Sequence, residues 1–243
     1  MTMITTVVFD LDDTLYDEVE YCRSGFEAVA EFLASLPEAT RLKVQAERIY
    51  QAFWKQFKAG NRTKTFNAAL CELDIGYNVA LHGLGVVDDK LIQQLIYVYR
   101  NHNPKITLPR ESREVLSELS EKFTLALLTD GFLPAQQLKV RALGLEKYFK
   151  CIIYTEQFGR EFWKPSPAGF EKLMEALNVK PQSMAYVADN QMKDFIAPNR
   201  LGFVTIQIIR PARLHSESSQ EPDSAAKYTI RQISQLPPLL DKF

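Results

Sequence analysis

Residues 6–15 read TVVFDLDDTL and combine an apolar run with three acids. The first four residues are apolar or β-branched, and the run stops abruptly at Asp10. A short run of this kind, bounded by polar residues, is typical of a buried strand. The sequence therefore predicts a strand that presents Asp10 and Asp12 at its carboxyl end.

The chain after this strand changes to a helical pattern. Stretches such as DEVEYCRSGFEAVAEFLASL and RLKVQAERIYQAFWKQFK place apolar residues three and four apart, as amphipathic helices do. A connection of this length is not a loop, because structureless loops beyond about 12–15 residues are uncommon. We therefore expect residues 16–104 to form an inserted all-helical domain. The core domain would then consist of residues 1–15 and 105–243.

Strand and helix patterns alternate in the second part of the chain. The strand-like runs are FTLALLTD, CIIYTEQ, SMAYVAD and FVTIQIIR, and a late strand and a short helix follow in YTIRQISQLPPLL. The serine- and glutamate-rich segment 211–226 is expected to be a loop. Strands separated by helices of this length predict a parallel sheet with right-handed crossovers. The predicted fold class is α/β, a Rossmann-like parallel sheet with an inserted helical domain.

Composition narrows the class of protein. The chain has 243 residues, 46% of them hydrophobic, and a formal net charge of −1 at pH 7. A nucleic-acid-binding protein normally carries a basic stripe, and a membrane span needs about 18 or more apolar residues in a row, so neither partner is expected. The three cysteines are far apart and odd in number, which favours a reducing, cytoplasmic location. Monomer and homodimer both remain open.

Acids, a hydroxyl and a lysine follow the predicted strands. Ligands of open parallel sheets bind at the carboxyl ends of the strands, and these residues should converge there. Two carboxylates about 4 Å apart repel by about 4 kcal/mol at an effective dielectric of 20, so several acids together need a cation. Oxygen ligands with open positions suit Mg²⁺, which also binds phosphate. The candidates are Asp10, Asp12, Thr129, Lys164, Asp189 and Asp194.

Four motifs in this order resemble those of the haloacid dehalogenase-like superfamily. FDLDDTL resembles the first motif, LLTDG the second, KPSP the third and VADNQMKD the fourth. The helical insertion resembles the cap domain of the family, and the similarity covers nearly the whole chain. The resemblance implies a Mg²⁺-dependent phosphatase whose partner is a small phosphorylated substrate. Sugar phosphates and nucleoside monophosphates both remain open.

The resemblance also implies catalytic roles. Asp10 would attack phosphorus and form an aspartyl-phosphate, which is a known nucleophilic use of a carboxylate. Asp12 would protonate the leaving alkoxide and then activate the water that releases phosphate. Family members that dehalogenate small acids lack this second acid. The presence of Asp12 therefore favours phosphoryl transfer.

The remaining candidates would bind phosphate or metal. The resemblance implies that phosphate binds to Thr129, to backbone N–H groups around Asp130 and Gly131, and to Lys164. It also implies that Asp10, the backbone carbonyl of Asp12 and Asp189 bind Mg²⁺, with Asp194 in support. Lys164 would in addition neutralise the charge of the nucleophile.

Two other functions use similar residues. A phosphomutase would return the phosphoryl group to another hydroxyl instead of water. A receiver-type signalling domain also combines acids, a threonine and a lysine around Mg²⁺, but its acceptor acid follows a middle strand of the sequence and no domain is inserted.

Overall fold

The computed structural model describes residues 3–41, 43–75 and 88–243. The chain divides into two compact units. The larger unit comprises Met1–Val19 and Ile106–Phe243, and the smaller unit is Glu20–Lys105. The described residues of the smaller unit form helices and no strand. Across the described ranges, no helix is both long enough and apolar enough to span a membrane.

The larger unit is built on one six-stranded sheet in which all strand pairs are parallel. The strands are β1 Thr6–Phe9, β2 Thr124–Thr129, β3 Cys151–Tyr154, β4 Met184–Ala188, β5 Val204–Ile208 and β6 Tyr228–Ile230. Their order is β3-β2-β1-β4-β5-β6. The prediction of a parallel α/β sheet is confirmed, and the first strand of the sequence lies in its middle.

The described helices follow the predicted alternation. The α-helices are α1 Glu18–Ser35, α2 Pro37–Arg41, α3 Ala46–Lys58, α4 Thr65–Leu73, α5 Asp89–Asn101, α6 Arg110–Lys122, α7 Ala135–Ala142, α8 Ala168–Leu177, α9 Ile196–Leu201 and α10 Leu236–Leu240. Short 3₁₀ helices cover Thr155–Gln157, Arg160–Phe162, Pro181–Ser183 and Ile233–Gln235. Segment 211–226 contains neither helix nor strand, as the sequence predicts.

The pairing of β1 with β2 and β4 places the first motif between these two strands. Phe9 pairs with Leu127 of β2 on one side and with Val187 of β4 on the other. The backbone N–H of Asp10 still donates to the Val187 carbonyl, at 2.9 Å. Asp10 therefore leaves the sheet beside the carboxyl ends of both neighbouring strands.

A cluster of buried aromatic side chains packs against the sheet. Phe170 of α8 packs edge-on against Tyr186 of β4, with ring centroids 4.9 Å apart, and both side chains are fully buried. Phe203 contacts Phe170 in the same way, with centroids 5.8 Å apart. Edge-to-face pairs of this kind stabilise a core beyond their buried area. The packing fixes Tyr186, whose hydroxyl reaches the site described below.

The smaller unit has an aromatic core of its own. Phe53 is fully buried and contacts Phe26, with centroids 6.0 Å apart, and Phe66, with centroids 5.1 Å apart. Phe57 is also buried, whereas Trp54 is half-buried and stacks on Phe57. The helical spacing of these rings reflects core packing.

Gly25 allows α1 to approach Tyr99 of α5 closely. A Cβ at Gly25 would lie 2.6 Å from Cδ2 of the Tyr99 ring and closer still to Cε2. Helix propensity alone would favour alanine by about 1 kcal/mol, but overpacking a closed contact costs about 1–3 kcal/mol. We expect Gly25→Ala to lower the free energy of unfolding, measured by chemical denaturation.

Glu31→Ala is the matched control, because Glu31 lies on the exposed side of the same helix. It should change the free energy of unfolding by less than about 0.5 kcal/mol. A stabilisation by Gly25→Ala would show that the contact with Tyr99 is not tight.

Candidate active site

Four of the predicted site residues meet at the carboxyl ends of the central strands. The Lys164 ammonium lies 2.6 Å from Oδ1 of Asp10 and 2.7 Å from Oδ1 of Asp194. Carboxylate oxygens of Asp10, Asp189 and Asp194 all lie within 4.8 Å of one another. The fold thus brings three acids from two sequence motifs to one buried lysine.

Lys164 is fixed at both ends of its side chain. Its backbone N–H donates to the Asp130 carboxylate, at 3.1 Å from Oδ2, and its ammonium also donates to the Tyr186 hydroxyl, at 3.1 Å. Burial works against the ammonium form, but the charges of Asp10 and Asp194 outweigh it and hold the pKa of Lys164 well above its ordinary value. The site therefore contains a permanent, immobile positive charge.

The site contains more carboxyl groups than the positive charge of Lys164 can neutralise. Burial raises the pKa of Asp10 to about 6, although Lys164 opposes the shift. Burial also raises the pKa of Asp189 to about 9, and the neighbouring charges of Asp194 and Asp10 act in the same direction. Oδ2 of Asp189 is buried and has no hydrogen-bond partner among the described residues. The charge balance and the unpartnered oxygen of Asp189 together fit a site that would hold a cation.

The donor set fits Mg²⁺. Asp10 and Asp189 offer hard carboxylate oxygens, which Mg²⁺ prefers. Asp194 is already engaged on both oxygens, since Oδ1 contacts Lys164 and Oδ2 accepts the backbone N–H of Asn190 at 2.9 Å. Asp194 is thus better suited to orient the site than to bind a cation directly.

The Asp12 side chain points to a different set of partners. Lys139 donates to both carboxylate oxygens, at 2.8 and 2.9 Å, Gln136 donates to Oδ2 at 2.9 Å, and the Tyr16 hydroxyl donates to Oδ1 at 2.5 Å. Burial opposes ionisation, but Lys139 and these hydrogen bonds hold the pKa of Asp12 below its ordinary value. Any contribution of Asp12 to a metal would come from its backbone carbonyl, which is the contribution that the family resemblance implies.

The predicted phosphate-binding segment forms a tight turn after β2. Thr129 is buried, and its hydroxyl accepts a hydrogen bond from Gln136 at 2.7 Å. Gly131 has φ +139°, and a Cβ there would lie 2.8 Å from Cδ of Gln136. A residue with a side chain would be strained at this position. The glycine lets the backbone turn closely around the end of β2.

The Asp130 side chain binds residues of the third and fourth motifs. Its Oδ1 accepts a hydrogen bond from the Thr155 hydroxyl at 2.9 Å, and its Oδ2 lies 3.3 Å from the ammonium of Lys193. With the bond from the Lys164 backbone, these contacts join the second, third and fourth motifs. Only backbone atoms near Asp130 therefore remain suited to the predicted phosphate role.

The sequence did not single out several residues that lie at or next to the site, and these include Asp13, Gln136, Lys139, Thr155, Tyr186 and Lys193. Gln136 and Lys139 are three residues apart on α7, a spacing that places both on one face of a helix. Asp13 has φ +52° and accepts backbone N–H groups from Glu18 at 2.8 Å and Leu214 at 2.6 Å. The spacing was a usable signal for the first pair, whereas nothing in the sequence connects Asp13 to Leu214.

Known proteins resemble the chain over most of its length. A sequence model of the haloacid dehalogenase-like hydrolase family matches residues 4–202. The glyceraldehyde 3-phosphate phosphatase of Methanocaldococcus jannaschii is 28% identical over 240 residues, which cover 96% of each chain. The human N-acylneuraminate-9-phosphatase is 25% identical over 246 residues, which cover 99% of this chain and 95% of the relative.

Solved structures share the fold. The putative HAD-hydrolase YfnB from Bacillus subtilis, bound to magnesium, matches with a TM-score of 0.65 and 22% identity, over 98% of this chain and 99% of its own. A 2-haloacid dehalogenase from Pseudomonas syringae matches with a TM-score of 0.64 and 24% identity, over 99% of both chains. The family match and the phosphatase relatives agree with the four motifs and the parallel sheet. The chain belongs to the haloacid dehalogenase-like hydrolase family, and it is a phosphatase.

Proposed function

We propose that this phosphatase is a Mg²⁺-dependent phosphomonoester hydrolase that works through an aspartyl-phosphate on Asp10. The proposal rests on the cluster of Asp10, Asp189 and Asp194 near the buried ammonium of Lys164. Oδ2 of Asp189 in this cluster has no hydrogen-bond partner among the described residues. Such a site is short of positive charge until a cation binds, and it then accepts a dianionic phosphate.

The first step transfers the phosphoryl group. A carboxylate oxygen of Asp10 bonds to phosphorus as the bond from phosphorus to the ester oxygen breaks. Lys164 stabilises the charge on Asp10 and on the transferring group, because its ammonium is already in place at 2.6 Å. Thr129 and the backbone N–H groups near Gly131 would hold the phosphoryl oxygens.

Asp12 handles the protons of both steps. Asp12 must first take up a proton against the low pKa that Lys139 imposes on it. The protonated carboxyl then gives this proton to the leaving alkoxide, and the resulting carboxylate takes a proton from water. That water attacks the phosphorus of the aspartyl-phosphate, which releases inorganic phosphate and regenerates Asp10. General acid–base catalysis of this kind contributes about 10²–10⁴-fold to a rate.

Asp10, the backbone carbonyl of Asp12 and Asp189 would hold Mg²⁺, with Asp194 in support. When bound, the ion supplies charge neutralisation for the phosphoryl oxygens and the nucleophile. Its presence would also complete the bonding of the Asp189 oxygen that has no other partner in the described residues.

The substrate is a small phosphorylated metabolite. The relatives named for glyceraldehyde 3-phosphate and for N-acylneuraminate 9-phosphate both act on phosphate esters of carbohydrates. This supports a sugar phosphate ahead of a nucleoside monophosphate.

A phosphate-release screen tests the function. We expect the wild-type chain with Mg²⁺ to release inorganic phosphate from sugar phosphates faster than from nucleoside monophosphates. Asp10→Asn should abolish turnover while leaving the circular dichroism spectrum unchanged, because an amide cannot act as the nucleophile. Turnover by this variant at a near-normal rate would remove Asp10 from the mechanism, and no release from any monoester would refute the proposed activity.

Asp12→Asn tests the proton transfers separately. The amide cannot donate or accept the proton, so kcat for an alkyl phosphate should fall by about 10²–10⁴-fold. Steady-state kinetics with a sugar phosphate provide the measurement. Near-normal hydrolysis would mean that another group moves the protons.

Removal of the metal should give a characteristic pH dependence of stability. The pKa values of Asp10 and Asp189 are raised from 3.8 to about 6 and about 9, and burial raises the pKa of Glu18 from 4.5 to about 8. The folded chain therefore binds more protons than the unfolded chain at pH values between the ordinary and the raised pKa values. Stability without metal therefore falls as pH rises through this window. In EDTA, we expect Tm to decrease from pH 6 to pH 9, and Mg²⁺ to raise Tm more at pH 9, where its ligands are ionised.

The control is Asp189→Asn, which should weaken both the decrease of Tm in EDTA and the stabilisation by Mg²⁺. A Tm in EDTA that stays constant or rises over this range would contradict the crowding of the acids.

A further inference from the structure

Asp12 is held by a pair of side chains that belong to none of the four motifs. We propose that Gln136 and Lys139 of α7 are positioning residues that orient the Asp12 carboxylate for its proton transfers. The inference rests on the proposed phosphatase mechanism, in which Asp12 is the acid and base.

The pair controls both oxygens of Asp12. The Lys139 ammonium bridges Oδ1 and Oδ2, at 2.8 and 2.9 Å, and the Gln136 amide adds a bond to Oδ2 at 2.9 Å. An ammonium and an amide N–H₂ group are both donors, so they bind the carboxylate in one orientation. Rotation of the Asp12 side chain would break at least two of these bonds at once.

The burial of Lys139 indicates a role beyond packing. Only 4% of its side chain is exposed, and its ammonium also lies 3.9 Å from Oε1 of Glu18. Burying a charge costs free energy unless it is paired, and an apolar side chain would fill the same space at lower cost. A buried lysine at this place is therefore best explained by the carboxylate it holds.

Gln136 connects Asp12 to the predicted phosphate site. The same amide nitrogen that donates to Asp12 lies 2.7 Å from Oγ1 of Thr129 and 2.9 Å from the Asp130 carbonyl. One side chain thus fixes the distance between the acid–base group and the turn after β2. Both members of the pair project from a regular helix, which is a more rigid support than a loop.

Replacement of Gln136 or Lys139 should lower the rate of proton transfer more than it lowers the affinity for substrate. A misplacement of about 1 Å in a catalytic group can cost about 10²-fold in rate. An alkoxide leaving group needs the proton from Asp12, whereas p-nitrophenolate leaves without it. The value of kcat/KM reports the steps up to the first irreversible one, which is the loss of this leaving group. The ratio of kcat/KM for the two kinds of ester therefore isolates the positioning of Asp12.

The experiment compares Lys139→Met and Gln136→Leu with the wild-type chain on glyceraldehyde 3-phosphate and p-nitrophenyl phosphate. For Lys139→Met, we expect kcat/KM for the alkyl ester to fall about 100-fold, with KM within about threefold of wild type, and kcat/KM for the aryl ester to fall less than about fivefold. Gln136→Leu should show the same pattern with smaller losses. Lys150→Met, at an exposed lysine of the same unit, should leave both values unchanged.

Circular dichroism and thermal unfolding establish that each variant is folded, and Gln136→Leu decides the question if Lys139→Met does not fold. Equal losses on both esters, or no loss on either, would overturn the positioning role while the wild-type activity stands. Absence of wild-type activity on both esters would instead overturn the proposed function, and this inference with it.

Discussion

The arrangement of the site depends on one buried ion-pair network. The Lys164 ammonium lies between Asp10 and Asp194 and donates to Tyr186, which the core fixes through Phe170. Removing one partner of such a network leaves a buried charge uncompensated, which costs about 3–5 kcal/mol. The network therefore ties Asp10 to the hydrophobic core. It also leaves more acids than Lys164 can neutralise, and in the proposed mechanism a cation would offset this excess before a phosphate dianion binds.

The fold and the main acids could be predicted because they follow from local rules. A buried strand that ends in acids, followed by alternating strands and helices, leads to a parallel sheet with its ligands at the carboxyl ends. The order of the strands puts β1 in the middle, so Asp10 lies beside both β2 and β4. Asp189 reaches it from the end of the neighbouring strand β4, and Lys164 reaches it from the segment after β3, which pairs with β2.

Contacts that arise from tertiary packing could not be predicted from the sequence. Asp13 lies within the first motif, but its side chain binds the backbone of Leu214, 201 residues further along the chain. Asp130 was expected to serve phosphate through its backbone, and its side chain also holds the backbone of Lys164. Lys139 could have been a surface lysine of an amphipathic helix. Only the three-dimensional structure shows it buried against Asp12, where it would orient the carboxylate in the proposed mechanism.

The proposed mechanism requires that Asp10 itself receives the phosphoryl group. The most direct test is an acid quench of the chain during turnover of a sugar phosphate with Mg²⁺, followed by peptide mass spectrometry. We expect an adduct with the mass of one phosphoryl group on the peptide that contains residues 6–15, at Asp10. An adduct on another residue, or unmodified Asp10 throughout rapid turnover, would contradict it.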